Sequence, residues 1–485
     1  MRSASTTGCI MVPLTATDAM KGKIEEYTDP ARCPRRRPDM SLMSEAARKL
    51  HGSIDAAIRK GGVPFLHPSD PTVQLDLLGS ARMTEWQEGK AGFLFEGTGC
   101  WSTLPQVYAR YGVETTRKLL GKVSALEGGA AAILTDCGMQ ACALLFDALL
   151  GPGRHAIMLR QGYNKTRKYL EWSAARLGGS VSIVDDGNYE EIESAIRDNT
   201  VLVFAETYTN PLLRAVDPGR LGQIVVRARS GPAPGIHGIV DDTIASPWGL
   251  RRPLLDFEGV DFVVSSGTKS LGGQDRDLWG YIASRRCDVM NEIMDLQAMR
   301  GGILDWRRAR SILEALPEAR SAFELRSRTA SRVAGFLARH PLVAEAHHPS
   351  LPDHPDREVI DRHYAEHGSL LSFRVKGASE DEARHFCDVL AMCVVPRYAL
   401  SFDGLTTKVN HHRTVSEYFT PLEELERAGI DRIVRLAVGM EEPEDIIACL
   451  NWALWHHGEI SPEDVALWQA ERARDLGIYQ SSTTP

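Results

Sequence analysis

The middle of the chain alternates short apolar runs with longer amphipathic stretches. The apolar runs fall at 131–134, 155–159, 181–184, 201–205, 236–240, 262–265 and 280–283, each bounded by Gly, Asp or Pro. Runs of this length, separated by helical stretches, predict a mostly parallel, seven-stranded sheet with helices on both faces. A long helical region follows over 288–339, and Pro317 within it predicts a break, because proline removes an amide donor and crowds the preceding turn. Beyond it, strand patterns at 370–375 and 433–438 mix with helical patterns at 380–390 and 442–456. That mixture predicts a smaller C-terminal α+β domain. Residues 1–50 are polar and aperiodic and read as an arm, a helix is expected at 46–59, and a charged helix and a loose tail are expected after 460. The expected organisation is an N-terminal extension over 1–104, a large α/β domain over 105–300 and an α+β domain over 301–485.

Composition narrows the function class. With 43% hydrophobic and 25% charged residues, the chain can bury a large core. The net charge of −8 argues against a nucleic-acid partner, and the basic run Arg35-Arg36-Arg37 sits among prolines as a solvated linker would. Nine cysteines, an odd number without a Cys-x-x-Cys pair, suggest neither a disulfide frame nor a metal site. No apolar run is long enough for a membrane span, and no signal-peptide pattern opens the sequence, so the cytoplasm is the expected location.

Three segments carry chemistry. In Ser265-Ser266-Gly267-Thr268-Lys269-Ser270-Leu271-Gly272-Gly273, an apolar strand runs into hydroxyls, a lysine and glycines. Ligands in open α/β sheets bind beyond the carboxyl ends of strands, and a lysine there can attack a carbonyl when its amine is neutral. Read alone, the segment is more simply a solvated lysine in a strand–loop connection. Gly238-Ile239-Val240-Asp241-Asp242-Thr243 ends a strand in two acids, suited to hold a proton on a ring nitrogen or simply to cap a helix. In Leu134-Thr135-Asp136-Cys137-Gly138-Met139-Gln140, a glycine opens a helix whose first amides could hold an anion, or which is merely a strand–helix turn.

The order of these pieces is more specific than any one of them. With Tyr163 in Gln161-Gly162-Tyr163-Asn164-Lys165-Thr166 and with Glu206-Thr207-Tyr208-Thr209-Asn210-Pro211 between them, the chain resembles the Cys/Met-metabolism enzymes that use pyridoxal 5′-phosphate (PLP), over about 108–450. That group includes cystathionine γ-synthase, cystathionine γ-lyase and methionine γ-lyase. The resemblance implies the fold-type I PLP-dependent transferase fold. It implies that Lys269 carries PLP as a Schiff base, that Asp241 pairs with the pyridine nitrogen, and that Ser266, Thr268 and the Gly138–Met139 amides bind phosphate. Tyr163 would stack on the ring and assist proton transfer, and Asn210 would lie near its 3-oxygen. Tyr108 and Arg110, in Tyr108-Ala109-Arg110, would reach a neighbouring subunit's phosphate, so that active sites are shared within a homotetramer. Arg435 would grip the substrate α-carboxylate, with Ser401 beside it.

The departures from the family pattern cluster at the substrate end. Asn164-Lys165 stands where Gly-Gly or Gly-Cys is usual, and Ser401-Phe402-Asp403-Gly404-Leu405-Thr406-Thr407 stands where Ser-Leu-Gly-Gly-x-Glu-Ser is usual. New charges such as Lys165 and Asp403 need partners in a buried site. The expected activity is therefore γ-elimination from an L-amino acid whose distal part is not that of cystathionine or methionine, in specialised metabolism. The competing expectations are γ-replacement on an activated homoserine and a PLP-fold binding or regulatory protein without turnover.

Overall fold

The computed structural model describes residues 44–59, 109–272 and 275–477. The chain divides into two units, 1–73 and 74–485. In the first, helix α1 (Glu45–Arg59) is preceded by Ser44, whose hydroxyl accepts from the Ala47 amide. The expected arm and loose tail fall almost wholly outside the described residues, as does Tyr108.

The second unit is built on a seven-stranded sheet of β1 (Ala131–Thr135), β2 (His155–Leu159), β3 (Ser180–Val184), β4 (Thr200–Glu206), β5 (His237–Asp241), β6 (Val260–Ser265) and β7 (Gly280–Ser284). Their spatial order is β1-β7-β6-β5-β4-β2-β3. All neighbours pair in parallel except β7, which runs antiparallel to both β1 and β6. Side chains alternate across the sheet and feed two cores. Ile157, Val203, Ala205 and Val263 pack on one side with helices α2 (Glu114–Leu126) and α6 (Pro218–Arg229). Met158, Phe204, Phe262 and Val264 pack on the other with α3 (Gly138–Leu149), α4 (Asn164–Arg176) and α7 (Cys287–Arg300). A short helix α5 (Tyr189–Ala195) completes the crossover from β3 to β4. With both faces covered, the interior strands can be apolar at nearly every position, which is why they stand out in the sequence.

Helix α8 (Trp306–Leu337) is 32 residues long and runs through Pro317 without interruption. The break expected at Pro317 instead falls at 301–305. Gly301 and Gly302 take left-handed conformations (φ 86° and 76°) that end α7, and Asp305 caps α8 by accepting from the Arg307 and Arg308 amides. Two helix-ending glycines and a capping aspartate set the boundary, and the amide that Pro317 lacks does not interrupt α8.

The C-terminal part holds a five-stranded sheet of β8 (Val343–His347), β9 (Leu370–Val375), β10 (Arg397–Tyr398), β11 (Lys408–His411) and β12 (Val434–Ala437), in the order β10-β11-β12-β9-β8. Only β10 and β11 pair in parallel. Helices α9 (Arg357–His363), α10 (Glu380–Met392), α11 (His412–Val415), α12 (Leu422–Arg427), α13 (Pro443–His456) and α14 (Pro462–Asp475) complete the fold. Ala309 and Ile312 of α8 join the core of the large sheet, whereas Ala330, Val333, Ala334 and Leu337 join that of the small one. Among the described residues, no helix is long and apolar enough to cross a membrane.

Candidate active site

The carboxyl ends of β4, β5 and β6 lie side by side, so Glu206, Asp241 and the turn after Ser265 share one rim of the large sheet. That turn is held rigidly. The Thr268 amide and hydroxyl both donate to the Trp279 carbonyl, at 3.2 and 3.1 Å, and the Trp279 amide donates back to the Thr268 hydroxyl at 2.9 Å. The buried Trp279 ring lies so close to Gly267 that a Cβ there would come within 2.2 Å of it. The Lys269 amide then closes the turn on the Ser266 carbonyl at 3.0 Å.

The amine of Lys269 donates to the Ser401 hydroxyl at 2.6 Å and lies 4.8 Å from the centre of the Phe402 ring. Burial lowers its pKa to about 8, an effect opposed by Asp403 and Asp275 and reinforced by Arg435 and Lys408. The amine is therefore neutral to about a tenth at pH 7 and to about half near pH 8, and the neutral form is the one that attacks carbonyls.

Asp241 ends β5 and accepts from the Thr243 amide at 2.8 Å. Burial lifts its carboxyl to about 6, against the Thr243 hydrogen bonds and the charge of Lys269. The Thr243 hydroxyl accepts from the Ser266 amide at 2.8 Å, so one side chain positions both the acid and the hydroxyl turn. The neighbouring Asp242 sits on the far side, where the Tyr281 hydroxyl bridges it to Glu127 at 3.4 and 2.7 Å. Burial, followed by the charge of Glu127, lifts Asp242 well above the usual carboxylate range.

The glycine turn meets the same rim. A Cβ on Gly138 would come within 2.6 Å of the Ser266 Cβ, and one on Gly280 within 2.7 Å of the Gly138 backbone. This close approach sets the first turn of α3 beside the Ser266 hydroxyl, with the helix amides directed at the gap. Tyr163 precedes α4, is partly exposed, and is fixed by its amide donating to the buried Glu206. Asn210 is buried, its amide bound to the Gln161 carbonyl at 3.1 Å and its side-chain oxygen accepting from Arg435 at 3.4 Å. Arg435 is buried on the interior strand β12, where it also donates to the Leu400 carbonyl at 2.9 Å. Burial lowers its pKa to about 10, and no carboxylate pairs with it among the described residues.

The sequence-predicted residues Lys269, Asp241, Ser266, Gly138, Tyr163, Asn210, Arg435 and Ser401 therefore converge through direct contacts or adjacent chain ends. Met139 lies in the first turn of α3, 3.7 Å from the Thr166 hydroxyl through its sulfur. The Thr268 hydroxyl is occupied by Trp279, as above. Arg110 is exposed, its guanidinium 5.7 Å from the centre of the Tyr111 ring. The sequence reading did not assign Thr243, Trp279 or Phe402. A threonine two positions after a strand-end aspartate is a detectable turn signal; nothing local marks the other two. Of the two unusual charges, Asp403 is buried and satisfied, accepting from the Ser369 hydroxyl and facing the buried Arg326 at 3.9 Å.

The donor set fits PLP: an anion cradle at one end, a buried acid on the rim, and a depressed lysine amine at the other end. The Cys/Met metabolism PLP-dependent enzyme model matches residues 98–455. The chain belongs to this family. It is 32% identical to an L-methionine γ-lyase of Fusobacterium nucleatum over 371 residues, 76% of this chain and 89% of that protein. It is 33% identical to cystathionine γ-synthase 1 of Arabidopsis thaliana over 349 residues, 72% of this chain and 60% of that protein. Among solved structures it resembles a cystathionine γ-lyase from Lactobacillus plantarum, with a TM-score of 0.66 and 25% identity, covering 72% of this chain and 88% of that one. The fold is accordingly that of fold-type I PLP enzymes, and the cofactor is PLP.

Proposed function

We propose that this family member is a γ-lyase, acting on an L-amino acid that carries a leaving group on Cγ. When bound, PLP supplies an electron sink for negative charge developing at the substrate Cα. The chain's own residues do the rest. The Gly138 and Met139 amides with Ser266, and Thr268 if its hydroxyl turns from Trp279, hold the phosphate. Asp241 holds a proton on the ring nitrogen, and Tyr163 and Asn210 orient the ring. Arg435 takes the α-carboxylate through its guanidinium fork, assisted by Ser401. Lys269 removes the Cα proton as general base and, with Tyr163, moves a proton from Cβ so that the γ-group departs. One water is consumed, and the products are the protonated γ-group, a 2-keto acid and ammonia.

The observation that carries this reading is the Lys269 amine, depressed to about 8, beside Ser401 on the Asp241 rim. The similarity to cystathionine γ-synthase favours γ-replacement on an activated homoserine as the second reading, with the same residues in the same roles. We further propose a cytoplasmic homotetramer in which Tyr108 and Arg110 serve a neighbouring subunit's phosphate, with no nucleic-acid or membrane partner. Borohydride reduction of the protein with PLP, followed by peptide mapping, should place the adduct on Lys269, and Lys269→Ala should remove it together with the visible absorbance. An adduct on another lysine, or none, would reject the assignment. Keto-acid release without an added nucleophile supports the lyase; a nucleophile requirement supports replacement.

A further inference from the structure

Strand β5 is followed by a second acid, Asp242, which has no role in holding the cofactor. Asp242 is fully buried, as are Glu127, just past α2, and Tyr281 on β7. Its amide donates to the Val264 carbonyl at 3.1 Å, which fixes it where β5 and β6 end. The Tyr281 hydroxyl lies 2.7 Å from Glu127 Oε1 and 3.4 Å from Asp242 Oδ2. It has one hydrogen, and the shorter contact assigns it to Glu127. Toward Asp242 the phenol then offers only lone pairs, and Asp242 Oδ1 finds no donor among the described residues. The Ser265 hydroxyl is the remaining polar neighbour.

Two ionised carboxylates would face each other here across one phenol, out of reach of solvent. The titratable groups that act on the pair are the two acids themselves, Tyr281 and Asp241, and none is a cation. Burial lifts both acids, Glu127 to about 7 and Asp242 well above its usual range. A proton on Asp242 satisfies the geometry: Asp242 donates to Tyr281, Tyr281 donates to Glu127, and one negative charge rests on Glu127. That end of the chain is the one away from the rim, since the charge of Asp241 acts on Asp242 and is not among the influences on Glu127. The placement matters for Asp241. Burial already lifts its carboxyl to about 6, and an ionised neighbour would lift it further. A protonated Asp241 cannot accept the proton of a ring nitrogen.

We propose that Asp242 is a positioning residue that stays protonated at neutral pH, and that the chain from Asp242 through Tyr281 to Glu127 keeps the nearest like charge away from Asp241, so that Asp241 remains the anion facing the cofactor's ring nitrogen. This holds whichever γ-reaction follows, and it uses the reading of Asp241 as the ring-nitrogen acid only for its consequence. Infrared spectroscopy tests the proton. Near neutral pH, the difference between the wild type and Asp242→Asn, both loaded with PLP, should contain the carbonyl stretch of a protonated carboxylic acid, shifted in heavy water. Tyr281→Phe keeps both acids and should move that band without deleting it. Equilibrium dialysis tests the consequence, with 4′-deoxypyridoxine 5′-phosphate as the probe; it lacks the aldehyde and so leaves the imine to Lys269 out of the measurement. Its affinity should fall on the acid side as Asp241 takes up a proton. Glu127→Gln removes the anionic end of the chain, so that Asp242 ionises and the acid limb moves up by about one pH unit. Asp242→Asn, an uncharged isostere of the protonated acid, should leave the limb in place.

If Asp242→Asn deletes no protonated-carboxyl band, Asp242 is ionised and the proposal is overturned. It is equally overturned by an acid limb that Glu127→Gln leaves in place, or that Asp242→Asn moves as far, since a purely structural role would not separate the two variants. If the infrared band behaves as stated but neither the wild type nor any variant shows an acid limb, the assignment of Asp241 fails and the protonation of Asp242 stands.

Discussion

The reactivity of the site is concentrated on one nitrogen. Lys269 has its pKa lowered to about 8 from the 10.5 of a free lysine, chiefly by burial. Below that value the amine is mostly protonated and cannot attack an aldehyde; at pH 7 only about a tenth is neutral. The rate of PLP uptake by the apoprotein should therefore climb with pH and level off near 8, as followed by the growth of visible absorbance in stopped flow. A rate still climbing beyond pH 10 would show an unperturbed lysine. The sign for stability follows the same shift. Between about 8 and 10.5 the unfolded chain binds the proton that the folded chain has lost, so this group makes the folded state more stable as pH rises through that window. The strand-end acid was visible in the sequence because it follows directly on an apolar run, and the lysine because the hydroxyls and glycine before it follow on another. What acts on them was not. Ser401 lies 132 positions from Lys269, Trp279 lies in a loop without periodicity, and the contribution of Thr243 depends on the register of β5 against β6.

At the level of elements, the anion cradle depends on how closely helix α3 approaches strand β6. Gly138 has no room for a side chain, since its Cβ would sit 2.6 Å from that of Ser266. Gly138→Ala should push the first turn of α3 away from the rim. We expect PLP affinity measured by equilibrium dialysis to fall about tenfold or more, with a stability loss of roughly 1–3 kcal/mol and unchanged far-ultraviolet circular dichroism. Retained affinity would mean that the phosphate sits elsewhere. The strands of the large sheet were legible nearly to the residue because, the edge strand β3 apart, both their faces are largely buried. Much of the small sheet was not. Strand β8 is only partly covered and β10 has two exposed residues, so neither carries a hydrophobic period. The boundary misplaced at Pro317 shows the complementary limit: a proline is conspicuous in sequence, but the glycines at 301–302 and the Asp305 cap control where the helices part.

For the molecule as a whole, the proposed sharing of sites between subunits has a direct test. Lys269→Ala lacks the base, and Arg110→Ala lacks the group offered to a neighbour. Each alone should be inactive or nearly so. Unfolding and refolding the two together should restore measurable turnover, because mixed assemblies contain some sites with both residues intact. Absence of any recovery in verified mixed oligomers would place Arg110 outside the neighbouring site. Helix α8 bears on the same scale. Its first turns are embedded beneath the large sheet and its last turns beneath the small one. A single unbroken rod about 48 Å long is thus a common beam for two floors. The loop bearing Ser401 hangs from the upper floor and the lysine it touches stands on the lower, so their meeting depends on the beam staying unbroken across the position of the proline.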